Sequence, residues 1–305
     1  MIKWWSWRKL LMLVKSSYKL IAQIAGDVFF KEINEIISLL DDVNIAISAF
    51  DIPESTLHHK EFNDIYGVAV MLGIFNNIGN SNIDRINELP FTIHKALHSN
   101  AERLESMGMS GYTLGVKLEF HNDGLLSHEK IEISKTIALY NLYIGYHNPG
   151  NFMWIPTKLW DDYEKYGSLS IKDKMSVKIK LSPIFHVDKN NEIVDSGLSY
   201  VKAPVSSINE EGQLKFFING QVLPEDNDKP QVDFIKSILD SLQNNPNKIY
   251  IPQKERRAIF LRNTDGFHAR DVFEDPIKGV DLSRVLLRSI DIDSELYPSL
   301  PLESY

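Results

Sequence analysis

Cysteine is missing from all 305 positions of this chain. Its absence excludes disulfide bridges, cysteine-bound zinc, iron–sulfur clusters and thiol nucleophiles, and it agrees with a cytoplasmic location. The sequence also lacks a P-loop, the glycine fingerprint of dinucleotide-binding proteins and a G-x-S-x-G nucleophile elbow. The longest apolar run, from Ile65 to Phe75, is about half of what a bilayer crossing needs and predicts a buried core element.

Acidic residues are absent from the first 26 positions, where five lysine and arginine residues occur. The whole chain carries a net charge of −8, so residues 27–305 carry −13. An acidic body argues against general nucleic-acid binding, which needs a basic face. A local basic patch could bind phosphate or an acidic partner, or its members could pair with neighbouring carboxylates as solvated surface residues. The patch consists of Lys254, Arg256, Arg257, Arg262, His268 and Arg270.

The opening segment, Ile2 to Ala25, has an apolar seam at helical spacing and a basic flank. Three interpretations are open: the helix packs on the fold, lies on an anionic membrane surface, or docks in the groove of a partner protein. Three tryptophans within four positions favour a binding role. The residues expected to bind are Trp4, Trp5, Trp7, Arg8, Lys9, Leu11 and Lys15.

The remaining pattern predicts an α+β fold. Helical spacing in residues 27–40 and 83–107 predicts a mostly helical N-terminal part, 1–107. Alternation in residues 112–121 and the short strand candidates that follow predict a mixed, largely antiparallel sheet with helices over 108–305. One of those helices is expected at 127–146. The two parts could also form one continuous domain.

Candidate catalytic residues occur where the predicted strand 112–121 ends. Glu119, His121 and Asp123 follow one another at alternate positions, and a strand end beside a turn is a common place for catalytic side chains. Alternation also puts Glu119 and His121 on the face opposite the apolar one, so simple exposure to water is the competing interpretation.

A second group could ligate a metal ion. His58, His59, Glu61 and Asp64 lie within seven residues, and on a helix His58 and Glu61 would share a face. The spacing matches no metallohydrolase pattern, and a solvated helix start is the alternative.

The sequence leaves open whether the protein is an enzyme. The cationic tryptophan-rich seam and the lack of a catalytic signature predict a non-enzymatic binding or assembly protein, peripheral to a membrane or attached to a partner protein by its opening helix. No cofactor is expected. The alternative is a metal-assisted hydrolase of the nuclease or phosphoesterase type, which would use the carboxylates and histidines above.

Overall fold

The structure, a computed structural model, describes most of the chain from residue 23 onward. The described residues are 17, 19–20, 23–56, 59–84, 88–102, 113–127, 130–167, 176–180, 186–187, 193–194, 200–209, 212–218 and 228–297. The opening residues Trp4, Trp5, Trp7, Arg8, Lys9, Leu11 and Lys15 lie outside this part, as does His58.

The α-helices flank a fold made mainly of strands. They are α1 (Phe30–Asp41), α2 (Lys60–Ile78), α3 (Tyr163–Gly167) and α4 (Lys229–Asn244). Helix α1 is amphipathic and buries Ile33, Ile36 and Leu40 on one face. Helix α4 begins at a capping box between Asp228 and Gln231, with a proline in its first turn.

The strands of the described residues are mostly short, and all their pairings are antiparallel. In the first half of the chain they are β1 (Ile47–Asp51), β2 (Thr92–Leu97), β3 (Leu118–His121), β4 (Leu125–Ser127), β5 (Lys130–Ser134), β6 (Thr136–Ile144), β7 (Tyr146–Asn148) and β8 (Asn151–Pro156). Those of the middle are β9 (Ser176–Lys180), β10 (His186–Val187), β11 (Ile193–Val194), β12 (Tyr200–Pro204), β13 (Ser206–Ile208) and β14 (Leu214–Phe216). The last are β15 (Ile249–Pro252), β16 (Arg257–Arg262), β17 (Gly266–Arg270), β18 (Glu274–Pro276), β19 (Leu282–Ile290) and β20 (Ser294–Tyr297).

Two larger sheets form the centre of the fold. One has the strand order β1-β16-β6-β19-β2 and the other the order β15-β8-β17-β3. Apolar side chains from both sheets, such as Ile137, Trp154 and Leu261, pack into one buried cluster. The sheets therefore lie face to face as a sandwich, with an interior between them.

Each sheet also buries its outer face. Helices α1 and α2 cover the five-stranded sheet, where they pack on residues such as Tyr140 and Leu287. Helix α4 and the hairpin β13–β14 pack against the outer face of the four-stranded sheet, around Trp160 and Phe267. Because both faces are covered, side chains that alternate along a strand are buried in two different cores.

The expected α+β fold, with a mostly helical N-terminal part, is wrong. Strand β1 pairs with β16, and β2 pairs with β19, so segments of the first 107 residues complete the five-stranded sheet. Residues 92–97, within the expected helix 83–107, form β2. The boundary at residue 107 stays a prediction.

The expected helix over 127–146 is also wrong, because residues 130–134 form β5 and residues 136–144 form β6. Nearly every residue of β6 is buried, since alternate side chains enter the sandwich interior or pack under α2. Such a continuous apolar run cannot be assigned to a helix or a strand by periodicity alone. The helix expected over 27–40 is confirmed by α1, and most of the apolar run 65–75 is buried in α2, as expected.

Candidate metal centre

Three residues that could hold a metal ion meet on the interior face of the four-stranded sheet. On β17, Phe267 and Ala269 face the outer core, and His268 between them faces the interior. His268 pairs directly with His121 of β3, so both rings stand on the same side of the sheet. Asp123 follows two residues after His121, in the loop that leaves β3.

The ligand atoms of His121, Asp123 and His268 all lie within 4.8 Å of one another. Asp123 Oδ1 is 3.6 Å from His121 Nε2 and 3.9 Å from His268 Nε2. The two imidazole centroids are 4.2 Å apart. Among the described residues this is the one group of three or more such side chains with metal-ligand spacing.

A main-chain contact orients the ring of His121. Its Nδ1 lies 2.8 Å from the carbonyl oxygen of Glu119, so this nitrogen carries the proton in the neutral ring. Nε2 is then left with its lone pair and faces Asp123. A histidine whose second nitrogen is held in this way is prepared to bind a metal ion.

The carboxylate of Asp123 is held in its ionised form. Burial opposes ionisation, but the positive charge of Arg288 outweighs it, so the pKa of Asp123 lies well below its usual range. Arg288 Nη1 donates to Asp123 Oδ2 at 3.0 Å, whereas Oδ1 faces the two histidines. One oxygen is thus fixed by a cation and the other is directed at the centre of the cluster.

His268 is a neutral ring in a tightly packed place. Burial lowers the pKa of His268 to about 3, with His121 acting in the same direction. Its ring is only 5% exposed and stacks on Phe152 at a centroid distance of 5.6 Å. Nε2 is buried and has no hydrogen-bond partner in the described part of the chain. A buried nitrogen without a hydrogen-bond partner lowers the stability of the folded state unless a ligand binds to it.

A buried guanidinium lies on the same interior, on β19. Arg284 donates from Nε and Nη2 to Asn141 Oδ1 at 2.9 and 2.7 Å, and from Nη2 to Gln253 Oε1 at 3.1 Å. Its other recorded neighbour is the ring of Phe273. Burial lowers the pKa of Arg284 to about 9, and Arg270 contributes to the shift. Within the described ranges no carboxylate neutralises this cation, which could therefore receive an acidic ligand.

Two further nitrogens near the cluster are buried without a hydrogen-bond partner among the described residues: Arg288 Nε and His94 Nε2. His94 pairs with Leu286 of β19, whose side chain joins the interior core. Burial lowers the pKa of His94 to about 3, and Arg288 contributes to the shift. The ring is therefore neutral at physiological pH, and its Nε2 can hydrogen-bond a bound molecule.

The residues singled out from the sequence are only partly brought together. His121 and Asp123 belong to the cluster, whereas the carboxylate of Glu119 is half exposed and pairs with Lys117 at 3.8 Å. His59 and Glu61 are exposed at the start of α2, and Asp64 pairs with Lys60 at 3.7 Å. None of these last three joins a metal-binding group in the part of the chain that the structure describes.

The four arginines of the supposed basic patch serve the fold individually. Arg256 donates to the carbonyl oxygens of Ile52, Pro53 and Asn63, and Arg257 pairs with Asp51 at 2.6 Å. Arg262 pairs with Asp41 at 2.8 Å. Arg270 is buried and donates to the carbonyl oxygens of Thr113, Leu114 and Val116. They are structural donors.

Sequence reasoning missed Arg284, Arg288 and His94, and it placed His268 in the basic patch and not at a metal site. One signal was present: His268 is the polar residue at an alternate position of a strand whose neighbours are apolar. The pairing of β17 with β3, which decides what His268 faces, has no local signature.

No family model matches the sequence, and no curated protein is similar to it in sequence. Solved structures, however, share its fold, the sheet-rich jelly roll of iron- and 2-oxoglutarate-dependent oxygenases. The chain is similar to asparagine oxygenase in complex with Fe(II), 2S,3S-3-hydroxyasparagine and succinate, with a TM-score of 0.59 and 12% identity over 93% of this chain and 91% of that one.

Two other structures show the same likeness. AAD-2 in complex with Mn(II) and N-oxalylglycine has a TM-score of 0.55 and 11% identity, over 90% of this chain and 91% of that chain. PvcB, an Fe, alpha-ketoglutarate dependent oxygenase from an isonitrile synthetic pathway, has a TM-score of 0.50 and 10% identity, over 88% and 83%. At these identities the likeness shows the fold.

The prediction of a non-enzymatic binding or assembly protein, attached through its opening helix to a protein partner or an anionic membrane surface, is wrong. The fold is that of a class of oxygenases, and its interior holds the cluster of His121, Asp123 and His268. The alternative of a nuclease- or phosphoesterase-type hydrolase is not favoured either. In the described ranges, no helix is long and apolar enough to cross a membrane.

Proposed function

We propose that this chain is an iron- and 2-oxoglutarate-dependent oxygenase that acts on a small molecule, with His121, Asp123 and His268 as the iron ligands. The observation that carries the proposal is the cluster of two imidazoles and one ionised carboxylate, whose ligand atoms lie within 4.8 Å of one another. Two histidines and one carboxylate, with further coordination positions left open, are the ligand set of non-haem Fe(II) oxygenases.

The unpartnered nitrogen of His268 supports a metal ion in particular. A metal ion bound to His268 Nε2 would take the place of its missing hydrogen-bond partner. The lone pair of His121 Nε2 is directed toward the same point, between the two rings and Asp123. When bound, iron would supply the activation of dioxygen that lets an oxoacid be consumed and a substrate be oxidised. The chain's own groups bind, orient and shield the reactants.

Arg284 is the group that we expect to bind the distal carboxylate of 2-oxoglutarate. It is buried on the interior face, and its recorded partners are the neutral side chains of Asn141, Gln253 and Phe273. A guanidinium in a site of low polarity binds a carboxylate strongly, because water does not compete for it. The asparagine oxygenase structure contains succinate, and PvcB is an alpha-ketoglutarate dependent oxygenase; both molecules are acids of this kind.

The substrate side is also expected to accept an acidic or acceptor-rich small molecule. Arg288 Nε and His94 Nε2 are buried without a hydrogen-bond partner in the described part of the chain, and Asp123 uses only one Nη of Arg288. An acceptor group of the substrate would satisfy Arg288 Nε, and a neighbouring polar group would satisfy His94 Nε2, as acceptor or donor according to the tautomer of that ring. This also agrees with the small molecule that the asparagine oxygenase structure holds.

The test is anaerobic titration of the full chain with Fe(II) and 2-oxoglutarate, followed by admission of oxygen. We expect a visible charge-transfer band that needs both additions, and then formation of succinate. His121→Ala should abolish both signals, whereas His147→Ala removes an exposed histidine and should leave them unchanged. If the full chain gives no band, or if His121→Ala gives the parent's band, the proposal fails.

A further inference from the structure

We infer that Asn122 and Asn263 are positioning residues for the candidate metal centre, an inference that rests on the proposed function. Neither side chain is a ligand. Together they fasten the loop that carries Asp123 to the turn that leads into His268. Both are buried, with Asn122 at 2% and Asn263 at 0% exposure.

Asn263 holds the main chain of Asp123 from both sides. Its Oδ1 accepts a hydrogen bond from the Asp123 nitrogen at 2.9 Å, and its Nδ2 donates to the Asp123 carbonyl oxygen at 2.7 Å. The structure records no other main-chain hydrogen bond of Asp123 within its described residues. Asn263 is itself fixed, because Nδ2 also donates to Ser134 and its main-chain nitrogen donates to Lys135.

Asn122 makes the second connection. Its Nδ2 donates to the carbonyl oxygen of Gly266 at 2.7 Å, and its Oδ1 accepts from the nitrogen of Ile218 at 3.1 Å. Gly266 begins β17, two residues before His268. The side chain of Asn122, which lies between His121 and Asp123, therefore ties that segment to the start of β17, which carries His268.

These bonds matter because Asp123 lies outside any strand, so no sheet ladder fixes its height above the two histidines. Metal ligands must be held within about 0.5 Å of their productive places. Arg288 fixes one carboxylate oxygen, and the two amides fix the main chain from which that carboxylate projects. Loss of supporting hydrogen bonds around metal ligands typically weakens metal binding about 10–100-fold.

The test measures Co(II) binding to the full-length metal-free protein, by calorimetry and by the visible spectrum of the bound ion. We expect Asn263→Ala to bind Co(II) about 10–100-fold more weakly and with a changed spectrum. Asn122→Ser, which removes the tie to Gly266 but leaves Asn263 in place, should have a smaller effect of the same kind.

The matched control is Asn245→Ala. Asn245 is equally buried, at 2% exposure, and its side chain ties Leu159 to Asn247, neither of which belongs to a ligand-bearing segment. It should lose thermal stability yet keep the Co(II) affinity and spectrum of the parent. Circular dichroism checks that each variant is folded, and Asn122→Ser decides the matter if Asn263→Ala does not fold.

Three results would overturn the inference, and the first of them would overturn the proposed function as well. A parent protein that binds no Co(II) removes the proposed function and this inference together. A parent that binds Co(II), with folded variants that bind it equally well and with the same spectrum, removes this inference alone. An Asn245→Ala variant that loses Co(II) affinity as strongly as Asn263→Ala would also overturn it.

Discussion

Replacing His268 by leucine should make the metal-free protein more stable. The buried Nε2 of His268 has no hydrogen-bond partner among the described residues, and a buried polar group left unsatisfied costs about 1–3 kcal/mol. Leucine would remove this penalty but also lose the ring contacts with Phe152 and His121, each worth about 0.5–1.5 kcal/mol at most. These two terms are of similar size, so the expected gain of about 1 kcal/mol comes from burying an apolar leucine side chain in place of a polar ring.

The same substitution should remove stabilisation by a metal ion. A ligand present at a hundred times its dissociation constant stabilises the folded state by about 2.7 kcal/mol. For a chain of 305 residues, an unfolding entropy of about 2.1 cal/mol/K per residue turns this into a rise in Tm of about 4 °C. The parent should show this rise and His268→Leu should show none.

The assay is thermal unfolding of both proteins in EDTA and in Mn(II). His147→Leu is the control, because His147 is exposed on β7 and its loss should leave the Mn(II) response intact. A His268→Leu variant that melts several degrees below the parent in EDTA would refute the argument from the unsatisfied nitrogen. A variant that keeps the Mn(II) response would refute the role of His268 as a ligand.

Three further predictions concern Arg284, the α2 interface and an exposed ion pair. Arg284→Lys should weaken 2-oxoglutarate binding to the metal-loaded protein about 10–100-fold in calorimetry, with little change in Mn(II) affinity, because lysine lacks the planar guanidinium that binds a carboxylate with two hydrogen bonds. Binding of 2-oxoglutarate as tight as in the parent would contradict this. A Cβ added at Gly67 would clash with the hydroxyl of Tyr140, so Gly67→Ala should lower the free energy of unfolding by about 1–3 kcal/mol in denaturant unfolding. Adding Tyr140→Phe removes that hydroxyl, which has no hydrogen-bond partner among the described residues, and should restore most of the loss. A loss that is not restored would count against the clash. The hydrogen bond from Arg257 lowers the pKa of Asp51 to about 2. The ion pair therefore stabilises the folded state above the unfolded pKa, and this contribution is lost as the pH falls from about 4 to 2. Asp51→Asn should lower the free energy of unfolding by less than about 1 kcal/mol at pH 7 and leave it unchanged near pH 2.

Much of the local structure follows from the sequence. The apolar periodicity of α1, the capping box and proline of α4, and the apolar run of α2 are local signals, and each element forms where its signal lies. Strand β6 shows where such signals fail. Its residues are buried on both faces, so the pattern that a single buried face would produce is absent.

The candidate site divides in the same way. His121 and Asp123 stand close in the chain at the end of a strand, and that local spacing marks them for attention. Glu119 has the same spacing but pairs with Lys117 on the outside. Alternation alone suggested that His121 faces water, because it cannot tell that a second sheet covers that face.

The sequence by itself determined the apolar face of α1, the apolar run of α2, and the spacing that puts a carboxylate two residues after a histidine at a strand end. Only the tertiary structure decided that β17 lies beside β3, which brings His268 within 3.9 Å of Asp123, and that β19 brings Arg288 within 3.0 Å of it. Strand pairing depends on main-chain hydrogen bonds and packing between distant segments. Those contacts leave no mark in the neighbouring residues, so the third ligand and both interior arginines became visible only in the folded chain.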